Sequence, residues 1–166
     1  MILATHAVVG AAVARLFPHY PIIGFLAAFA SHYVLDAIPH WNYHLRSFRS
    51  TKETGHGRPD MVWGRDFLID LSRIALDGLL GVGLAFLLFR PQSWRDVFIT
   101  LAGIVGGVLP DALEFLYWKC GDTLLGWLQR FHRAVHTKED IKSPMIGIFL
   151  QAVLVGLVSL FFYYTL

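Results

Sequence analysis

From Pro144 to Leu166 the chain carries no charged side chain. A bilayer core about 30 Å thick is crossed by roughly 20 apolar residues in a helix. Helices suit that environment because they satisfy their own backbone polar groups. This stretch is long enough, and the rest of the chain has a similar character. Of 166 residues, 55% are hydrophobic and only 16% charged, against about 25% charged in soluble domains. Mean hydropathy is +0.53. The length suits one domain, residues 1–166. A net charge of +2 with histidines neutral gives no reason to expect a nucleic-acid partner. The single cysteine, Cys120, excludes an intramolecular disulfide framework and is no metal cluster by itself. The first basic residue is Arg15, so no cleavable signal is expected and the first helix is retained.

Proline and glycine punctuate the remainder. A first helix is predicted from Ile2 to Phe17, ended by Pro18-His19-Tyr20-Pro21. A second runs from Pro21 to Pro39 or slightly beyond. Trp41 to Arg65 is a polar loop on the cytoplasmic side, containing Gly55, Gly57 and Pro59. A third helix spans Asp66 to Phe89 and a fourth Trp94 to Lys119. Pro110 should kink or restart the fourth just before Asp111. Gly121 to Lys138 reads as an amphipathic helix at the membrane interface, and Pro144 to Leu166 as the final span. The uncharged runs 1–14, 20–35 and 97–109 are shorter than a span and become long enough only with their polar ends. Gly103 and Gly107, and Gly78 with Gly81 and Gly83, would let helices approach closely. The predicted fold is all-α: a polytopic membrane bundle of about five spanning helices plus one amphipathic interfacial helix.

On this apolar background lies a polar stripe. His32, Asp36, His40 and His44 recur every fourth residue, and four residues turn a helix about 400°. Buried unpaired, such groups cost kilocalories each. If the first four helices all cross, the start of the first, the end of the second, the start of the third and the end of the fourth share one membrane face. His6, His32, Asp36, His40, Asp66, Asp70, Asp77, Asp111, Glu114, His132 and His136 then all fall at that face, leaving His19 and Asp96 opposite. That face also holds Arg46, Arg49, Lys52, Arg58, Arg65, Lys119, Arg130, Arg133, Lys138 and Lys142, against Arg15, Arg90 and Arg95 opposite. The basic excess makes it cytoplasmic, with the amino terminus inside.

Helical i, i+4 histidines and carboxylates present nitrogen and oxygen ligands to one ion. His32-x-x-x-Asp36-x-x-x-His40 does so, and His132-Arg133-Ala134-Val135-His136 repeats the spacing. The alternatives are a polar seam hydrogen-bonded between helices and interfacial histidines facing headgroups. Arg133 is placed to clamp a phosphate oxygen or to touch lipid headgroups. Pro110-Asp111-x-x-Glu114 offers Asp111 as a ligand and Glu114 in a supporting role, with helix capping as the alternative. Asp77 is the deeper of the helix-three carboxylates and reads as a ligand or a partner of one. Arg73 fits an ion pair with Asp70 or with Asp77, and His6 reads as a ligand or a structural residue. His19 and His56 are left out of the site.

Together, Thr5-His6, Ser31-His32-x-x-x-Asp36, Leu109-Pro110-Asp111 and His132-Arg133-x-x-His136 resemble the membrane-bound, metal-dependent hydrolases known as LexA-binding, inner-membrane-associated hydrolases. The resemblance runs over the whole chain in scattered short motifs, the Ser-His-x-x-x-Asp element being the strongest. That family often has His-Arg-x-x-Thr-His-Ser, with histidines five apart; here they are four apart and Thr137 follows the second. The set is also distantly similar to zinc-dependent phospholipase C enzymes. The resemblance implies an inner-membrane, divalent-metal hydrolase acting on phosphoester bonds.

The candidate ligands are His6, His32, Asp36, His40, Asp77, Asp111, His132 and His136, more than one tetrahedral zinc uses. Two ions of zinc, manganese or iron are expected. Asp111 and Arg133 are the candidate catalytic residues. A site at headgroup depth suits a lipid or lipid-linked phosphoester, hydrolysed by metal-activated water. The rival readings are a metal or proton transporter and a structural membrane protein with a polar helix seam.

Overall fold

The computed structural model describes residues 1–55, 57–121 and 123–165, leaving aside the side chains of Thr123 and Thr165. Helix α1 (Leu3–Arg15) is its axis. Its sequence, rich in alanine, favours helix and presents little bulk, so α2 (Pro21–Asp36), α4 (Arg65–Phe89), α5 (Trp94–Cys120) and α7 (Pro144–Thr165) all pack on it. Ala4, Ala7, Val8, Ala11, Ala12 and Ala14 are buried. The closest approach is to α5, where a methyl group on Gly107 would run into the carbonyl oxygen of His6 and one on Gly103 into the backbone of Gly10. Small residues allow this approach, and it brings His6 beside the part of α5 that carries Asp111.

The first amide groups of a helix lack partners within it. In α1 they are met by side chains of other helices. Asp77 on α4 accepts from the N–H of Leu3 at 2.6 Å and of Ala4 at 3.3 Å, and Gln151 on α7 accepts from Ile2 at 3.0 Å. Proline at the first position opens α2, where its missing N–H is no loss.

Residues 41–65 form a small roof over the ends of α4 and α5. Strand β1 (Phe48–Arg49) pairs antiparallel with β2 (Asp60–Met61), and the single turn α3 (Thr51–Thr54) lies between them. Buried Asp70 of α4 accepts from both the N–H and the hydroxyl of Ser47 at 2.8 Å. Arg58 donates to the carbonyls of Trp118 and Lys119 on α5. Asp60 pairs with Lys119 at 2.7 Å. Helix α6 (Thr123–Val135) follows, and the chain beyond it runs alongside residues 36–40, with Thr137 N–H donating to Asp36 O at 2.7 Å and Ile141 N–H to His40 O at 3.0 Å.

The fold is all-helical apart from the β1–β2 pair, and three helices, α4, α5 and α7, are long and apolar enough to cross a membrane, where the sequence predicted about five spans. With 13 and 16 residues, α1 and α2 fall short of roughly 20. Two local expectations also change. Helix α2 stops at Asp36, three residues before Pro39, which disfavours helical backbone just ahead of it. Pro110 neither breaks nor restarts α5, which runs unbroken from Trp94 to Cys120.

Candidate metal centre

Asp36 closes α2 with a carboxylate that is 2% exposed, and histidines from four segments converge on it. His6 Nε2 from α1 lies 3.2 Å from Oδ1, and His40 Nε2 lies 3.7 Å from the same oxygen. On the other oxygen, Oδ2, His32 Nε2 lies at 3.2 Å, His132 Nε2 at 3.0 Å and His136 Nε2 at 3.9 Å. Asp111 Oδ1 on α5 stands 3.5 Å from His32 Nε2. The amino nitrogen of Met1 is 3.1 Å from Asp36 Oδ1 and 2.7 Å from His40 Nε2.

These atoms fall into two groups that can each hold a cation: His32, Asp36, Asp111 and His132, and Asp36, His40 and His136. Asp36 belongs to both. Within each group the ligand atoms lie within 4.8 Å of one another. Tetrahedral ligands about 2.0–2.1 Å from zinc stand about 3.3 Å apart, close to the observed 3.0, 3.2 and 3.5 Å.

The outer nitrogens explain how the rings are aimed. His32 Nδ1 lies 2.8 Å from Gly107 O, His40 Nδ1 2.7 Å from Ile38 O, and His136 Nδ1 2.8 Å from Thr137 O. A carbonyl oxygen only accepts, so in each ring Nδ1 carries the proton and, in the neutral ring, Nε2 keeps a lone pair turned inward. His32 Nε2 is buried and makes no hydrogen bond, as do both ring nitrogens of His6. A nitrogen lone pair facing carboxylate oxygens is repulsive unless a proton or a cation lies between them.

Around this centre the electrostatics divide. Burial pulls the His40 imidazole below its ordinary value and favours the neutral, ligating form. Burial pulls His132 down too, but its hydrogen bond to Asp36 and the nearby Glu114 and Asp111 carboxylates more than offset this, and its pKa is raised. Burial, with the Asp77, Asp111 and Asp70 carboxylates, pushes the Tyr43 phenol up. Glu114 Oε2 stands 3.7 Å from His132 Nδ1, and its other oxygen accepts from Gln129.

Of the residues singled out in the sequence, the structure brings together His6, His32, Asp36, His40, Asp111, His132 and His136. It does not bring Asp77 to either group: both its oxygens face the first amides of α1. Arg133 is exposed on α6 and does not line the cavity that opens on the cluster. Lys138 does line it. His44 is exposed, and His56 lies outside the described residues. His40 arrives by a turn after α2, and His136 stands one residue past α6 with its N–H still bonded to His132 O at 2.9 Å. Sequence reasoning missed Gln151, which accepts from Ile2 and donates to Trp41 O at 3.0 Å. Its signal was a lone amide in an otherwise apolar span.

The cavity measures ≈860 Å³, within the usual range for small-molecule sites. Asp36, Asp111, Glu114, His132 and His136 line one part of it. Asp111, 34% exposed at its side chain, is reachable from it. Comparison with known proteins matches the chain to no family, no curated protein and no solved structure.

Proposed function

We infer that this protein is a membrane-embedded hydrolase of phosphoesters that works with two divalent metal ions sharing Asp36. One observation carries the reading: His32 holds its Nδ1 proton on Gly107 O and turns an unpartnered, buried Nε2 toward two carboxylates. Ligating histidines are commonly oriented in this way, with the outer N–H on a carbonyl. His32, Asp111 and His132 would complete one ion's ligand set and His40 and His136 the other's, with His6 flanking Asp36. Mixed imidazole and carboxylate donors suit zinc, manganese or iron. Such a pair of ions supplies activated water and stabilises charge on the ester oxygens.

The chain's own residues do the rest. Asp36 sets the spacing of the two positions. Asp111 faces the cavity and orients what binds there. Glu114, beside His132 Nδ1, is placed to hold or release a proton at the cavity wall. Lys138 attracts an anionic group. The motif resemblance to inner-membrane metal-dependent hydrolases supports the same chemistry. In this reading α1 and α2 also cross, α1 shielded by its neighbours and α2 exposing Ile22, Leu26 and Val34 to lipid. The basic excess then puts the site at the cytoplasmic face of the inner membrane, at the depth of lipid phosphoesters. A transporter would carry polar groups onward. Among the described residues, the other half of the bundle buries only Thr100 as a whole polar residue, with single polar atoms of Arg15 and Ser159.

Metal analysis of the purified protein tests the centre. Two ions per chain are expected, and none in Asp36→Ala. Hydrolysis of bis-p-nitrophenyl phosphate with zinc or manganese tests the chemistry. A protein that binds metal but cleaves no phosphoester would overturn the hydrolase.

A further inference from the structure

The cavity has two unlike ends. The cluster occupies one. At the other, Leu71 and Ile74 of α4 face Val108, Ala112 and Phe115 of α5. These residues recur at helical spacing, so each helix turns a continuous apolar face to the other. The faces do not close. Both helices pack tightly on α1, yet they barely touch each other. Phe67 and Phe115 stack at 6.3 Å beneath the 41–65 roof. Leu71 is 46% exposed and Ala112 is exposed as well. Two residues that line the cavity therefore keep accessible surface, and they stand on two helices long and apolar enough to cross a membrane.

A soluble phosphoester would need only the polar end. An apolar slot continuous with a charged centre fits a molecule that has both characters. We propose that the gap between α4 and α5 is the subsite and side portal for the acyl chain of an amphiphilic substrate. The chain lies between Leu71 and Ile74 on one wall and Val108 and Ala112 on the other, and the phosphoester meets Asp111 and the histidines. This assignment rests on the hydrolase reading for the fate of the headgroup, but not for the binding of the chain. The substrate class is a single- or double-chain glycerophosphate lipid taken directly from the bilayer, with Lys138 at the polar end. Ile74 is nine residues into α4, about 13 Å along its axis, so the slot runs parallel to the lipid chains outside.

The test uses the full protein in one fixed detergent, with lysophosphatidate of increasing chain length as the probe and glycerol 3-phosphate as its chain-free counterpart. Retention is read by native mass spectrometry. Buried methylenes should raise it about fourfold each until the slot is full. Leu71→Trp and Ala112→Trp, on different helices, fill the slot and should each lower retention of the long-chain probe at least tenfold. Leu79→Trp, equally bulky on the outward face of α4, should not. Equal retention in all three variants, or no advantage of the chain over glycerol 3-phosphate, overturns the proposal. If both slot variants misfold, chain-length dependence in the unaltered protein decides. Hydrolysis of p-nitrophenyl phosphate is scored separately. Chain binding without hydrolysis keeps the subsite and removes the hydrolase. Hydrolysis without chain selectivity does the reverse, and the absence of both removes both.

Discussion

The two ends of the helical bundle use similar residues to different effect. At one end Arg15, His19, Arg95 and Asp96 sit where α1 and α4 finish and α2 and α5 begin. Ser93 and Asp96 cap α5 reciprocally, Gln92 N–H donates to the same Asp96, and Arg95 donates to His19 Nδ1 at 2.8 Å. These bonds are mostly local in sequence and exposed. At the other end Asp36 gathers His6, His32, His40 and His132 from up to 96 positions away, and it is itself buried. The caps at the first end help to start and stop helices. At the second end, imidazole nitrogens from distant segments stand within 4 Å of one buried carboxylate. Residue type does not separate the two ends; long-range convergence on a buried carboxylate does.

The most direct way to break this contrast is Asp36→Asn, which keeps the shape and removes the charge both groups share. Loss of both ions is expected, with phosphoester hydrolysis falling by more than the roughly 100-fold that removal of an outer partner costs. Elemental analysis and turnover measure it. A variant that keeps two ions would show that the ions do not depend on the Asp36 charge, and a wild-type protein without ions would make the convergence a packing feature like the opposite caps.

The α1–α5 seam connects the ends and sharpens the comparison. Gly107→Ala and Gly103→Ala each place a methyl against the α1 backbone, and each should cost about 1–3 kcal/mol as overpacking. Thermal unfolding in detergent reads that cost. The two should differ in metal content. Gly107 abuts His6 and its carbonyl holds His32, so Gly107→Ala should lose ions. Gly103, one turn further from the site, should retain them.

Much of this end is legible in the sequence, because the i, i+4 spacing of His32 and Asp36 survives as helix geometry and antiparallel helices bring alternate ends to one face. What escaped depended on contacts that spacing does not encode. His40 was expected on the α2 helix, yet reaches Asp36 from a turn fixed by pairing with residues 137–141. The 41–65 roof follows from Asp70 holding Ser47, a pair separated by 23 positions. Length and composition single out three spans where the sequence predicts about five, because α1 is buried on all sides. A helix enclosed by other helices shows the same apolar composition as one in lipid, at a length that need not span. Arg133 looked placed for phosphate because it adjoins His132 in sequence, but neighbours on a helix point about 100° apart.

Asp77 is where the two ends' logics meet, and its removal should have the smallest effect on chemistry among the carboxylates at the site end. It was read as a ligand because an intramembrane carboxylate is a functional candidate by default. In the structure it does for α1 what Ser93 does for α5, but from another helix and in a half-buried setting. Asp77→Ala should therefore destabilise by about 0.5–2 kcal/mol, as loss of a cap does, while metal stoichiometry stays at the unaltered value. Ser93→Ala, the exposed counterpart, should shift the unfolding midpoint by no more than about 2–4 °C and leave the site untouched. Loss of one ion in Asp77→Ala, with Ser93→Ala silent, would return Asp77 to the ligand set. Equal metal content in both variants would show that a carboxylate at the correct face and depth can still belong to the scaffold, because helix α1 begins at that depth and its first amide groups need an acceptor there.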